Sequence, residues 1–173
     1  MRAAQRRPAF GRGARRRAPG LAAVRLELQR RVRGWLPTRR ELTHWASTAL
    51  GRRALGRELG VCVVGPAESA RLNGRFRGSE QPTNVLSFPA AALPPPHPGG
   101  RAPLGELVIC AHVLRAEARA QEKTLRAHWA HLVVHGTLHL AGYDHEGAAD
   151  ARRMERREVA VLRRLGFANP YRS

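Results

Sequence analysis

His135-Gly136-Thr137-Leu138-His139-Leu140-Ala141-Gly142-Tyr143-Asp144-His145 spaces three histidines as H-x3-H-x2-G-x2-H. Histidines four apart share one helix face, because four residues turn an α-helix by roughly 400°, about 40° past a full circle. Gly142 lets the chain reverse, so a third histidine can return to that face. Three neutral imidazoles fill three corners of a tetrahedral zinc and leave the fourth open to water or substrate. That is the arrangement of a catalytic metal rather than a closed structural one. His135, His139 and His145 are therefore the candidate zinc ligands, the first two carried on a late helix expected over residues 124 to 141.

The pattern is similar to that of the metzincin peptidases, which carry glutamate directly after the first histidine as the base that activates water. Here that position is Gly136, which has no side chain. A metal can be held, but the peptidase base is missing, and peptide hydrolysis becomes a minor alternative.

Working outward, the rest of the chain supplies a sheet. Ala22 to Gln29 alternates as a first strand. Thr38 and Glu41 form a capping box that opens a helix through Leu50. Gly60 to Val64 is a short β-branched strand. Pro66 sits in the first turn of a helix that includes Leu72 and ends near Phe76. Asn84 to Phe88 is a strand stopped by Pro89, the stretch from Pro89 to Pro103 is a loop, and Leu104 to Cys110 is another strand. Helices follow over 111 to 121, 124 to 141 and 148 to 165. Strands early and helices late predict an α+β fold: a mixed sheet of about four strands covered by about five helices. On the last helix Met154, Val161 and Leu162 face the core. Arg152, Arg153, Arg156 and Arg157 form a solvated face, paired in part with Glu155 and Glu158.

The chain of 173 residues suffices for one domain, read as residues 21–173, after a disordered basic arm over residues 1–20. The arm holds seven arginines and no acid, a composition it shares with organellar transit peptides. No apolar run is long enough to cross a bilayer and the N-terminus lacks a secretory core, so a cytoplasmic protein is expected. Cys62 and Cys110 each fall in a strand and read as buried free thiols. Basic residues number 31 against 13 acidic ones, a net charge of +18, which favours a polyanionic partner, nucleic acid first. Base composition alone can enrich arginine over lysine; it does not readily explain so few acids.

A second constellation precedes the histidines: Leu72-Asn73-Gly74-Arg75-Phe76-Arg77-Gly78-Ser79-Glu80-Gln81-Pro82-Thr83-Asn84-Val85-Leu86-Ser87-Phe88-Pro89. A guanidinium fork matches phosphate geometry and stabilises charge that builds up during phosphodiester cleavage. Two arginines at a helix C-terminus are also favoured by the macrodipole alone.

Together these two segments, with Leu104-Gly-Glu-Leu-Val-Ile-Cys110 and His128-Trp-Ala-His131-Leu-Val-Val-His135, resemble the YbeY family from about residue 24 to the C-terminus. These are metal-dependent endoribonucleases of ribosomal RNA maturation. The resemblance implies that His135, His139 and His145 hold one zinc ion and that Arg77 is the catalytic arginine. It implies a substrate of single-stranded RNA at the 3′ end of small-subunit ribosomal RNA, a part in ribosome quality control, and small ribosomal subunit components as partners. The alternative reading is a non-catalytic zinc-containing assembly factor that binds pre-ribosomal RNA or a ribosomal protein. Ser79-Glu80 and Gly105-Glu106 depart from the family's usual Lys-Asp and Gly-Asp, which leaves those two carboxylates without an assigned role. His128 and His131 are expected to be packed, solvated or behind the ligands, and Asp144 is a candidate to orient an imidazole.

Overall fold

A computed structural model describes residues 23–92, 102–143 and 147–172. The basic arm of residues 1–20, His145 with its neighbour Asp144, and most of the proline-rich stretch lie outside the described residues.

Helix α1 (Arg39–Leu50) begins at the expected capping box. Thr38 Oγ1 accepts the Glu41 backbone N–H at 3.2 Å, and Glu41 Oε2 accepts the Thr38 N–H at 2.9 Å. Two backbone donors that the helix cannot satisfy internally are thereby paired.

The strands β1 (Arg25–Arg30), β2 (Arg57–Val64), β3 (Val85–Pro89) and β4 (Ala102–Cys110) form one sheet in the order β1-β2-β4-β3. β1, β2 and β4 are parallel, and β3 runs antiparallel at the edge. Helix α1 connects β1 to β2, while α2 (Pro66–Arg77) precedes β3. The helices α3 (Ala111–Ala120), α4 (Leu125–Leu140) and α5 (Ala148–Arg164) follow β4. Among the described residues the expected α+β architecture of four strands and five helices is the one observed.

Strand alternation sorts the interior into two layers. Val61, Val63, Leu107 and Ile109 face the main core, against Leu42 and Trp45 of α1 and Trp129 and Val133 of α4. Cys62, Val64, Leu86 and Val108 face the other way, with Leu72 of α2 and Phe88 packed on them. Helix α4 is apolar around most of its circumference because the sheet, α1, α3 and α5 all pack on it. Both cysteines are buried and free, and burial pushes the Cys62 thiol upward. Among the described residues no helix is long and apolar enough to cross a membrane.

Strand ends differ from the local reading for a tertiary reason. β2 starts at Arg57 and β4 at Ala102, because Arg57 and Glu58 pair with Ala102 and Pro103 across the sheet. The loop expected over 89–103 is thus shorter at both ends, and a 3-10 turn follows β3 at Ala90–Ala92. Pro89 does not stop β3 but is its last residue, tolerated because β3 is an edge strand. It lies opposite Gly105, whose φ is 145° and where a Cβ would sit 2.3 Å from the Phe88 carbonyl oxygen. Only glycine permits that approach.

Candidate metal centre

Helix α4 opens at Thr124, whose side chain accepts the Ala127 N–H at 3.2 Å. From there His128, His131, His135 and His139 recur at spacings of three and four and make one stripe along the helix. Successive ring centroids lie 6.2, 6.2 and 4.7 Å apart. Side-chain exposure rises from 3% at His128 through 15% at His131 to 27% at His135. The stripe therefore runs from the interior toward solvent.

Each of the first three histidines has a carboxylate partner. His128 Nε2 lies 2.8 Å from Glu117 Oε2, and Asn84 Nδ2 donates to the same carboxylate at 3.1 Å. Burial pulls His128 below the usual imidazole range, against the opposing effect of Glu117. His131 Nε2 lies 3.0 Å from Glu158 Oε2, and His135 Nδ1 lies 2.8 Å from Glu158 Oε1. The Tyr171 hydroxyl donates to Glu158 Oε2 as well.

Glu158 is almost fully buried on α5. Burial alone would raise its carboxyl; the hydrogen bonds from His131, His135 and Tyr171, with the charge on His135, outweigh this and hold it at about 2. It is thus a carboxylate, and both imidazoles donate N–H to it. Burial and the Glu158 charge push the Tyr171 phenol upward, so its hydroxyl stays a donor.

This corrects the expectation that Glu158 pairs with solvated arginines. Glu158 follows Met154 by four residues and precedes Val161 and Leu162 by three and four, so it lies on the apolar stripe of α5. That spacing was the available signal: a carboxylate on a core face must find donors. Met154, Val161 and Leu162 are buried as expected, and Arg152, Arg153 and Arg156 are exposed. Arg157 is half-buried and donates to the Ala49 carbonyl at 3.3 Å. Among the described residues Arg153 pairs with Asp150 at 3.1 Å, a partner on the same helix.

His131, His135 and Glu158 bring one ligand atom each within 4.8 Å of one another and could hold a metal ion. His135 is common to this set and to the three-histidine motif, of which His135 and His139 lie adjacent and His145 lies outside the described residues. With Nδ1 turned to Glu158, Nε2 is the nitrogen by which His135 would ligate a metal, the usual tautomer of a ligating imidazole with a carboxylate behind it. The donor chemistry of the motif fits a zinc ion on that side.

His139 also opens onto a cavity of about 270 Å³ that it shares with Arg77, Ser87, Pro89 and Tyr143. Arg77 is the last residue of α2, on the opposite layer of the sheet, and it reaches this cavity past the edge strand β3. Its place is fixed by the turn that follows. Gly78 adopts φ 72° to end the helix, and the loop returns along α2. Ser69 Oγ donates to the Thr83 carbonyl at 2.9 Å and accepts the Thr83 N–H at 3.0 Å. Asn73 Nδ2 donates to the Gln81 carbonyl at 2.8 Å. Arg75, the other arginine of the segment, instead lies over the Phe76 ring at 5.3 Å. Glu106 faces the α2 layer beside Gly60, where burial raises its carboxyl.

Gly136 has a packing reason. A Cβ there would lie 2.7 Å from Leu107 Cδ2 and 3.1 Å from Ser87 Oγ, so the helix presses on the sheet at the position where a peptidase would carry its base. A glutamate there would have to displace both side chains.

A family model described as endoribonuclease YbeY matches residues 27–166. The solution structure of TM1509 from Thermotoga maritima is similar at 23% sequence identity, over 87% of this chain and 99% of that one, with a TM-score of 0.45. With most of its length inside the family match, this chain belongs to the YbeY endoribonuclease family.

Proposed function

We propose that the protein is a zinc-dependent endoribonuclease that cuts single-stranded RNA in maturation of the small-subunit ribosomal RNA 3′ end and in ribosome quality control. His135, His139 and His145 hold the ion, and Arg77 binds the scissile phosphate. The observation that carries this reading is that Arg77 and His139, far apart in sequence and on different layers, line one cavity. A set built on His131 and Glu158 would bury its ion behind a carboxylate 1% exposed, out of reach of a polymer substrate.

A bound zinc supplies Lewis-acid polarisation of a phosphoryl oxygen and acidifies water at neutral pH. The chain's own groups do the rest. The Arg77 guanidinium pairs with the non-bridging phosphate oxygens and stabilises the charge they gain in the transition state. Glu158 fixes the tautomer and ring orientation of His135. The excess of arginine attracts the RNA backbone, and residues 1–20 serve as a basic arm that tracks phosphates ahead of a nuclease domain over residues 21–173. The protein works in the cytoplasm with small ribosomal subunit components.

The test is cleavage of an end-labelled 3′ segment of small-subunit ribosomal RNA by zinc-loaded protein beside His135→Ala and Arg77→Ala purified identically. Cutting by the wild type alone supports the proposal. Equal cutting by all three, or by none, transfers the weight to a non-catalytic assembly factor.

A further inference from the structure

The chain beyond α5 is docked rather than trailing. Gly166 turns it with φ 82°. Phe167 meets Trp45 edge to face at 5.9 Å, and the Arg126 guanidinium lies over both rings at 5.4 and 5.8 Å. Lys123 Nζ donates to the Pro170 carbonyl at 2.6 Å, and Asn169 Oδ1 accepts the Tyr171 N–H at 3.0 Å. These anchors deliver the Tyr171 phenol to Glu158.

Apolar burial does not explain the tyrosine. Tyr171 is 47% exposed, with only a ring edge against His131 at 5.5 Å, whereas the carboxylate it reaches is 1% exposed. What Tyr171 contributes is therefore its hydroxyl, the third donor on a buried carboxylate. Oε1 of Glu158 serves His135, while Oε2 serves His131 and Tyr171. Three donors from α4 and the tail fix the plane of the carboxylate, and that plane sets the direction in which His135 presents Nε2. Without the phenol, Oε2 keeps one protein donor and the carboxylate gains freedom to rotate.

From this arrangement we infer that Tyr171 is a positioning residue for the metal centre, acting through Glu158 on His135, so that the docked C-terminal tail sets metal affinity. The inference rests on the proposed reading that His135 and His139 ligate the ion.

The experiment uses the full chain stripped of metal and titrated with Co²⁺, followed by its visible absorption. Outer-shell partners of metal ligands are worth about 10–100-fold in affinity. Glu158→Gln is expected to weaken Co²⁺ binding by about that factor, and Tyr171→Phe, one bond further out, by about 3- to 10-fold. Both are expected to move the visible bands, which a merely structural role for the tail would leave in place. A Tyr171→Phe protein with the wild-type dissociation constant and the wild-type spectrum overturns the inference. If Glu158→Gln does not fold, Tyr171→Phe decides alone, since it keeps the ring and every other anchor. His139→Ala serves as the separate control. Wild-type Co²⁺ affinity in that variant overturns the ligand assignment itself, whatever Tyr171→Phe shows.

Discussion

Glu158 Oε1 accepts a hydrogen bond from His135 Nδ1 at 2.8 Å, joining the last helix to the histidine stripe of α4. The contact serves two donor sets differently. If Glu158 is a ligand, His131 is its co-ligand. If Glu158 instead orients His135, the ion lies on the His139 side and His131 stands behind it. Competition for zinc with a chromophoric chelator separates the two. We expect His139→Ala to lose more than about 100-fold in affinity, beyond the range of an outer-shell change, and His131→Ala to stay within about tenfold. The reverse order would put the metal on His131 and Glu158.

Arg77 is exposed at the end of α2 and forms no ion pair in the structure's described residues. Its replacement by alanine therefore leaves the thermal midpoint within about 2 °C, as for surface substitutions generally. RNA cleavage falls by about 100-fold or more, the usual consequence of removing one group that stabilises transition-state charge. Arg75→Ala, whose guanidinium lies over Phe76, is the matched control and keeps most of the activity. Equal losses in both variants would mean that general electrostatic attraction, not the cavity, accounts for the effect.

At Gly136 the added methyl of alanine meets Leu107 and Ser87, both packed between α4 and the sheet. Leu107 is fully buried, so the clash is relieved by lifting the helix rather than by a side-chain swing. Gly136→Ala is expected to lose about 1–3 kcal/mol in urea unfolding despite the better helix propensity of alanine, because overpacking outweighs it. It is also expected to lower cleavage, since His135 and His139 ride on the lifted turn. An unchanged or raised stability would show that the sheet yields at Leu107.

Much of this was legible in the residues because local and tertiary preferences agree. The capping box at Thr38 and Glu41, the apolar run of β2 and the proline at the start of α2 each name their element without help from the fold. What could not be read locally depends on partners distant in sequence. Arg57 and Glu58 are strand residues only because Ala102 and Pro103 lie beside them. Within the candidate site, the spacing of His135 and His139 puts both on one face of α4, whereas the carboxylate that His135 meets sits on another helix, where the surrounding charges make it read as a surface acid. Its position between Met154 and Val161 was the clue, and Tyr171 had none, since a tyrosine near a chain end reads equally as surface.

His128 offers a pH test away from the motif histidines. It is buried among Glu117, His131 and Lys123, and burial lowers its pKa below the usual 6.5 even though Glu117 pulls the other way. A base whose folded pKa is depressed binds its proton more readily when unfolded. Unfolding then takes up a proton as the pH falls below about 6.5, so the folded state loses stability from there down through the folded pKa. We expect the urea midpoint of metal-free protein to be lower at pH 5.5 than at pH 7.5, and this difference to shrink in His128→Gln, which keeps a donor for Glu117 without the titrating ring. If the variant shows the full wild-type pH dependence, the protons are taken up elsewhere on the stripe and His128 is only a packed donor to Glu117.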